Sequence, residues 1–144
     1  MKKTIVLSIC LLTMLLACHK NRSAVNQIKD GDMSLGISRL KNGEGNSGTL
    51  DFAIRLISNK QLLADKDKSF RNSLWYSMDS CFYLMKGQRK IYSAIVQPIA
   101  NGVAGTFEYM LSFNEEDLKA GNWSLIYDDR YLNHKKYTLS VPEE

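Results

Sequence analysis

Residues 106–114, "TFEYMLSFN", alternate without a break. Phe107, Tyr109, Leu111 and Phe113 fall on one face, and Thr106, Glu108, Met110 and Ser112 on the other. Period-two patterning of this kind, rich in aromatic residues, is the signature of a half-buried β-strand. Working outward, residues 49–57, "TLDFAIRLI", repeat it, with Leu50, Phe52, Ile54 and Leu56 opposite Asp51, Ala53 and Arg55. Residues 33–40, "MSLGISRL", alternate through Met33, Leu35 and Ile37, and the glycine and asparagine cluster "KNGEGNSG" at 41–48 makes the turn between the two runs.

Downstream, "NEEDLKAG" at 114–121 reads as one helical turn. Asn114 is placed to cap it, the acids favour its N-terminal end, and Gly121 can close it. "NWSLIYDD" at 122–129 then points Trp123, Leu125 and Tyr127 inward, and "KYTLSV" at 136–141 adds Tyr137, Leu139 and Val141. The middle is less regular. "SNKQLLADKDKSFRN" at 58–72 has no clean period and reads as a loop with a short helical turn. "LWYSM" at 74–78 and "SCFYLMK" at 80–86 read as extended, and "RKIYSAIVQPI" at 89–99 as one strand. Apolar residues on both faces from Ile91 to Val96 place that strand centrally, and Pro98, which has no N–H, should end or bulge its ladder.

The pattern amounts to about seven or eight strands separated by turn clusters, with hardly any helix. It predicts an all-β fold, an antiparallel β-sandwich of immunoglobulin-like or transthyretin-like outline, over residues 33–144. One such domain fits the length without a staple.

Residues 1–18 carry a different pattern. Met1-Lys2-Lys3 precedes an apolar run from Thr4 to Ala17 that shows no polar face. Fourteen helical residues rise about 21 Å, short of the roughly twenty residues a membrane span needs. A basic start, a short apolar core and a small residue before a cut describe a secretory signal peptide.

"Leu15-Leu16-Ala17-Cys18" resembles the lipobox of bacterial lipoproteins. The resemblance implies cleavage between Ala17 and Cys18 and acylation of the Cys18 thiol, with two or three chains such as palmitate. One chain anchors only marginally, and two or more hold firmly. The implied organisation is a signal peptide over 1–17, a lipidated N-terminus and flexible tether over 18–32, and then the sandwich. His19 is not the aspartate that retains many lipoproteins in the inner membrane. "HKNRSAVNQ" also lacks the acidic cluster of surface-exported ones. The outer membrane, with the domain facing the periplasm, is therefore the expected location. Without Lys2 and Lys3 the 19 basic residues fall to 17 against 15 acidic ones, so the basic balance is no argument for nucleic acid.

Candidate chemistry is sparse. Cys10 leaves with the signal and Cys18 takes the lipid, which leaves Cys81 without a disulfide partner; it reads as a small buried hydrophobe. Asp128 and Asp129 could seed a cation site, but neighbours in a strand point to opposite faces, and a strand-end turn explains them better. Glu115, Glu116 and Asp117 are accounted for by helix N-terminal charge, and His134 lacks partner ligands. No nucleophile elbow or phosphate loop appears, so no catalytic residue, metal ligand or cofactor is expected. Trp75, Tyr76 and Tyr131 are the candidate partner or ligand surface, since Trp and Tyr are enriched at interface hot spots.

The segments 101–113 and 125–133 also look like small lipoproteins of Bacteroidota, and are similar to the accessory lipoprotein of their type VI secretion membrane complex. That resemblance implies a non-enzymatic interaction or assembly module with an envelope protein as partner. The alternative is a ligand-binding lipoprotein that captures a glycan, peptide or small molecule on its aromatic surface.

Overall fold

The computed structural model describes residues 26–40, 48–119 and 122–141. The signal peptide, Ala17, Cys18, the start of the tether, most of the 41–48 turn and Gly121 lie outside the described residues.

Nine strands form two antiparallel sheets, a β-sandwich, among the described residues. They are β1 (Asn26–Lys29), β2 (Met33–Arg39), β3 (Thr49–Ser58), β4 (Phe82–Lys86), β5 (Arg89–Tyr92), β6 (Ile95–Ile99), β7 (Thr106–Asn114), β8 (Ser124–Asp128) and β9 (Lys136–Leu139). The larger sheet has the order β1-β2-β3-β7-β6 and the smaller β5-β4-β8-β9. The two cleanest alternating runs, β3 and β7, lie side by side at the centre of the larger sheet. Their register sets Phe52 opposite Leu111, Ile54 opposite Tyr109 and Leu56 opposite Phe107.

The core lies between the sheets. Leu35, Ile37, Phe52, Ile54, Leu56, Tyr109, Leu111 and Phe113 reach it from the larger sheet, and Phe82, Leu84, Leu125, Tyr127 and Leu139 from the smaller. Aromatic rings knit it: Phe82 stacks on Tyr127 at 5.0 Å and Tyr127 on Tyr137 at 6.0 Å, while Phe52 meets Phe113 and Trp123 edge-on. Offset-stacked and T-shaped pairs such as these add to the burial of their area.

Several local expectations are corrected. Residues 58–72 and "LWYSM" are not a loop and a strand but two helices, α1 (Lys60–Ala64) and α2 (Lys68–Tyr76). Asn59 caps α1 through Gln61 N, and Asp67 caps α2 through Phe70 N at 2.7 Å. Tertiary packing decides α2: Leu74 is fully buried, and its carbonyl accepts the hydroxyl of Tyr109. Residues 89–99 are not one central strand. The chain turns at Ser93-Ala94 and passes from an edge of the smaller sheet (β5) to an edge of the larger (β6). Pro98 remains in the ladder opposite Tyr109, tolerated because β6 is paired on one side only. Asn26–Lys29, within the stretch read as tether, pairs with β2 as a further edge strand. Asn114 stands at the N-cap of α3 (Glu115–Leu118), but its side chain makes no capping bond.

Among the described residues no helix is long and apolar enough to cross a membrane.

Candidate functional site

The three aromatic candidates gather around α2 but do not form an open aromatic platform. Trp75 packs edge-on against Phe107 at 5.2 Å. Tyr131 meets Phe70 at 6.4 Å, and its hydroxyl donates to the Ser77 carbonyl at 2.9 Å. Both rings are half-buried and hold the helix against the sandwich. Tyr76 alone presents its ring to solvent, at 73% exposure.

The acidic pair at the end of β8 divides as the strand geometry requires. Asp129 is buried and serves as the hub of the β8–β9 loop. Its Oδ1 accepts the Tyr127 hydroxyl at 2.7 Å and Tyr131 N at 3.3 Å. Its Oδ2 accepts the amides of Leu132, Asn133 and His134 at 2.9, 2.5 and 2.9 Å. Turning the His134 amide towards this carboxylate puts His134 in the left-handed region, at φ 59°. Burial alone would raise the Asp129 pKa, but the Tyr127 hydroxyl and the three amides outweigh it and hold the carboxyl below its usual range.

A second cluster ties this loop to the β1–β2 turn. Tyr137 donates to Asp30 at 2.5 Å and accepts from Asn133 at 2.7 Å. Asp32 accepts from Asn133 at 3.1 Å and from Lys135 at 2.7 Å. The Tyr137 bond, assisted by the amides of Met33 and Asp32, holds Asp30 down to about 2. Burial, then the bond to Asp30, pushes Tyr137 up to about 12. Burial likewise pushes the Cys81 thiol up to about 11, leaving it protonated and poorly nucleophilic at neutral pH. These groups hold their protons, or lack them, throughout the neutral range, whereas an acid–base catalyst needs a pKa near the working pH. The cluster works as a clamp between the two sheets. Among the described residues no three His, Cys, Asp or Glu side chains gather to hold a metal ion.

The outer face of the larger sheet carries three of the large apolar side chains that stay exposed among the described residues. Register sets Gln27, Gly36, Arg55, Glu108 and Ile99 in one row across its five strands. The next row towards the β1–β2 turn is Lys29, Ser34, Ile57 and Thr106. On the other side run Ser38, Ala53, Met110 and Gln97, then Asp51, Ser112 and Ile95. The small residues over β2 leave a concavity of 310 Å³ bounded by Gln27, Arg55, Ile57, Ile99 and Glu108. Ile57, Ile95 and Ile99 are 41%, 51% and 38% exposed, and Arg55 pairs with Glu108 at 2.5 Å. This face was missed because residues 89–99 read as a central strand. The alternation Ile95, Gln97, Ile99 around an in-strand proline was the available signal for an exposed edge.

No protein-family model matches the chain, and no curated protein or solved structure matches it.

Proposed function

We propose that the chain is an outer-membrane lipoprotein whose β-sandwich faces the periplasm and acts as a non-enzymatic interaction and assembly module. The observation that carries this reading is the juxtaposition of the lipobox at Leu15–Cys18 with a domain whose first strand begins at Asn26. The eight residue steps from Cys18 to Asn26 reach at most about 29 Å when fully extended. An acylated Cys18 therefore keeps the β1 end of the sandwich close to the headgroups.

Two further observations support a binding role. The titratable side chains of the clamp are held far from neutral pKa values by structural hydrogen bonds. Three isoleucines, Ile57, Ile95 and Ile99, stay exposed on the outer face of the larger sheet. The resemblance of residues 101–113 and 125–133 to type VI accessory lipoproteins agrees with a place in an envelope-spanning complex. The ligand-capture alternative retains Tyr76 alone of its three aromatic residues.

The test is mass spectrometry of the chain recovered from membranes, paired with Cys18→Ala. The proposal expects a diacyl or triacyl N-terminal cysteine in the parent. The variant should leave the membrane fraction with its thermal unfolding unchanged and lose its co-purifying partners. An unmodified Cys18, or full retention of partners by a soluble variant, would refute it.

A further inference from the structure

The loop between β6 and β7, residues 100–105, is built around an asparagine followed by a glycine. Gly102 sits in the left-handed region at φ 67°, where a residue without Cβ is the unstrained choice. Asn101 fixes the turn with its side-chain amide. Its Oδ1 accepts from Val103 N at 2.9 Å, and its Nδ2 donates to the Thr106 carbonyl at 3.3 Å. The same arrangement leaves Gly102 exposed, its amide without an acceptor among the described residues and with open space where a Cβ would stand. Asn114 is the contrast. The residue after it is Glu115, which has a Cβ and whose amide is tied to the Gly48 carbonyl at 2.8 Å.

We propose that Asn101 is a site of spontaneous covalent modification, at which the side-chain amide is displaced by the Gly102 nitrogen. The Gly102 amide first gives up its proton to solvent base, and its nitrogen bonds to Asn101 Cγ. The negative charge that develops on Oδ1 is held by the Val103 N–H, which already points at that oxygen. The Cγ–Nδ2 bond then breaks. Nδ2 takes up a proton and leaves as ammonia, giving up only its long bond to Thr106, and a five-membered succinimide closes. Water opens this ring at either carbonyl. Attack at Cγ leaves an aspartate. Attack at the backbone carbonyl leaves an isoaspartate, whose main chain runs through the former side chain with one methylene more. One water is consumed and one ammonia released, with no oxidant or reductant. Either product takes a donor from the Thr106 carbonyl and adds a negative charge to a loop flanked by the exposed Ile99 and Val103.

The test is peptide mapping by mass spectrometry of the full chain, aged in its folded state at neutral and at mildly alkaline pH. Cleavage after Lys90 and Lys119 gives one peptide that holds both Asn101 and Asn114. It also separates them from Asn42-Gly43, the other Asn-Gly pair of the sequence. The expected result is a gain of one mass unit at Asn101, at least tenfold faster than at Asn114, with isoaspartate among the products. The rate should rise at least fivefold at the higher pH, because the attacking amide must lose its proton. Gly102→Asn tolerates a positive φ but sets a Cβ beside the attacking nitrogen, and should slow conversion at Asn101 at least fivefold with thermal unfolding little changed. No conversion at Asn101 in the folded chain, where the urea-unfolded chain converts, overturns the proposal. So do equal rates at Asn101 and Asn114, or an unchanged rate in Gly102→Asn. None of these readouts depends on the state of Cys18, so their failure leaves the anchoring proposal standing.

Discussion

The two outer faces of the sandwich are built from the same kind of strand and end in opposite states. On the smaller sheet, the outward Tyr83 and Ile126 are only 1% and 6% exposed. Lys90 lies over the Tyr83 ring at 4.5 Å and Tyr92 packs beside it at 5.6 Å. The Tyr83 hydroxyl donates to Asp128 at 3.2 Å, and Lys136 pairs with the same carboxylate. Long amphipathic side chains thus close that face, their stems covering apolar surface while their charged ends stay wet. On the larger sheet the corresponding positions over β2 hold Ser34, Gly36 and Ser38, which cannot cover anything, and the neighbouring isoleucines stay open. The smaller sheet covers the centre of its outer face with its own side chains and leaves Tyr92 half in water at its edge, whereas the larger sheet leaves Ile57, Ile95 and Ile99 exposed.

The comparison breaks most sharply at Tyr83. Tyr83→Ala removes a buried ring, its cation–π partner and a hydrogen bond at once. It should cost about 3–4 kcal/mol in chemical denaturation, as large aromatic truncations do. A cost below about 1 kcal/mol would show that the smaller sheet's outer face is as open as the larger one's. Next in size is Asp129→Ala, which strips a buried acceptor from one hydroxyl and four amides. We expect a loss of about 3 kcal/mol, because buried donors without partners keep their full desolvation penalty. Hydrogen exchange should report it first in the β8–β9 loop.

How much of this was legible beforehand differs along the same division. The inward residues of β3, β7, β8 and β9 could be read directly, because a strand with one buried face writes its burial as alternation. The network around Asp129 could be read only as a turn. Its carboxylate binds amides two to five residues ahead, and no periodicity records that. Helix α2 was hidden because Trp75 and Tyr76 favour strands, while the contacts that override the preference, Leu74 in the core and Trp75 on Phe107, come from distant segments. The corner between β5 and β6 was hidden for the opposite reason. Two edge strands from different sheets, joined through Ser93-Ala94, print as one long apolar run.

The clamp joining the sheets gives the third effect, and it depends on pH. Tyr137, through its bond to Asp30, is the main reason that Asp30 titrates at about 2 rather than at its ordinary 3.8. A depressed carboxylate contributes stability above its unfolded pKa and loses it as pH falls through 3.8 towards 2. The melting temperature should therefore drop by about 3–5 °C for this group across that window. At the alkaline end, Tyr137 is raised from 10 to about 12, so its contribution is intact below pH 10 and fades as pH rises towards 12. Tyr137→Phe should shrink the alkaline step, to which the buried Tyr109 and Tyr127 also contribute, and narrow the acid one. An unaltered pH profile in that variant would mean that the clamp contributes nothing to joining the sheets.

The smallest effect sharpens the comparison from the other side. Ile57 occupies the middle strand of the open face at 41% exposure, with only Ser34 and Thr106 beside it in its row. Within one chain its side chain shields little, so Ile57→Thr, which keeps the β-branch, should change monomer stability by less than about 0.5 kcal/mol. Ile126 on the closed face is the matched position, and Ile126→Thr should cost about 1–2 kcal/mol because burial there is nearly complete. Denaturation at two protein concentrations separates the cases. Ile126→Thr should lose the same stability at both. Ile57→Thr should be nearly silent at both, because Ile57 is already 41% exposed to water.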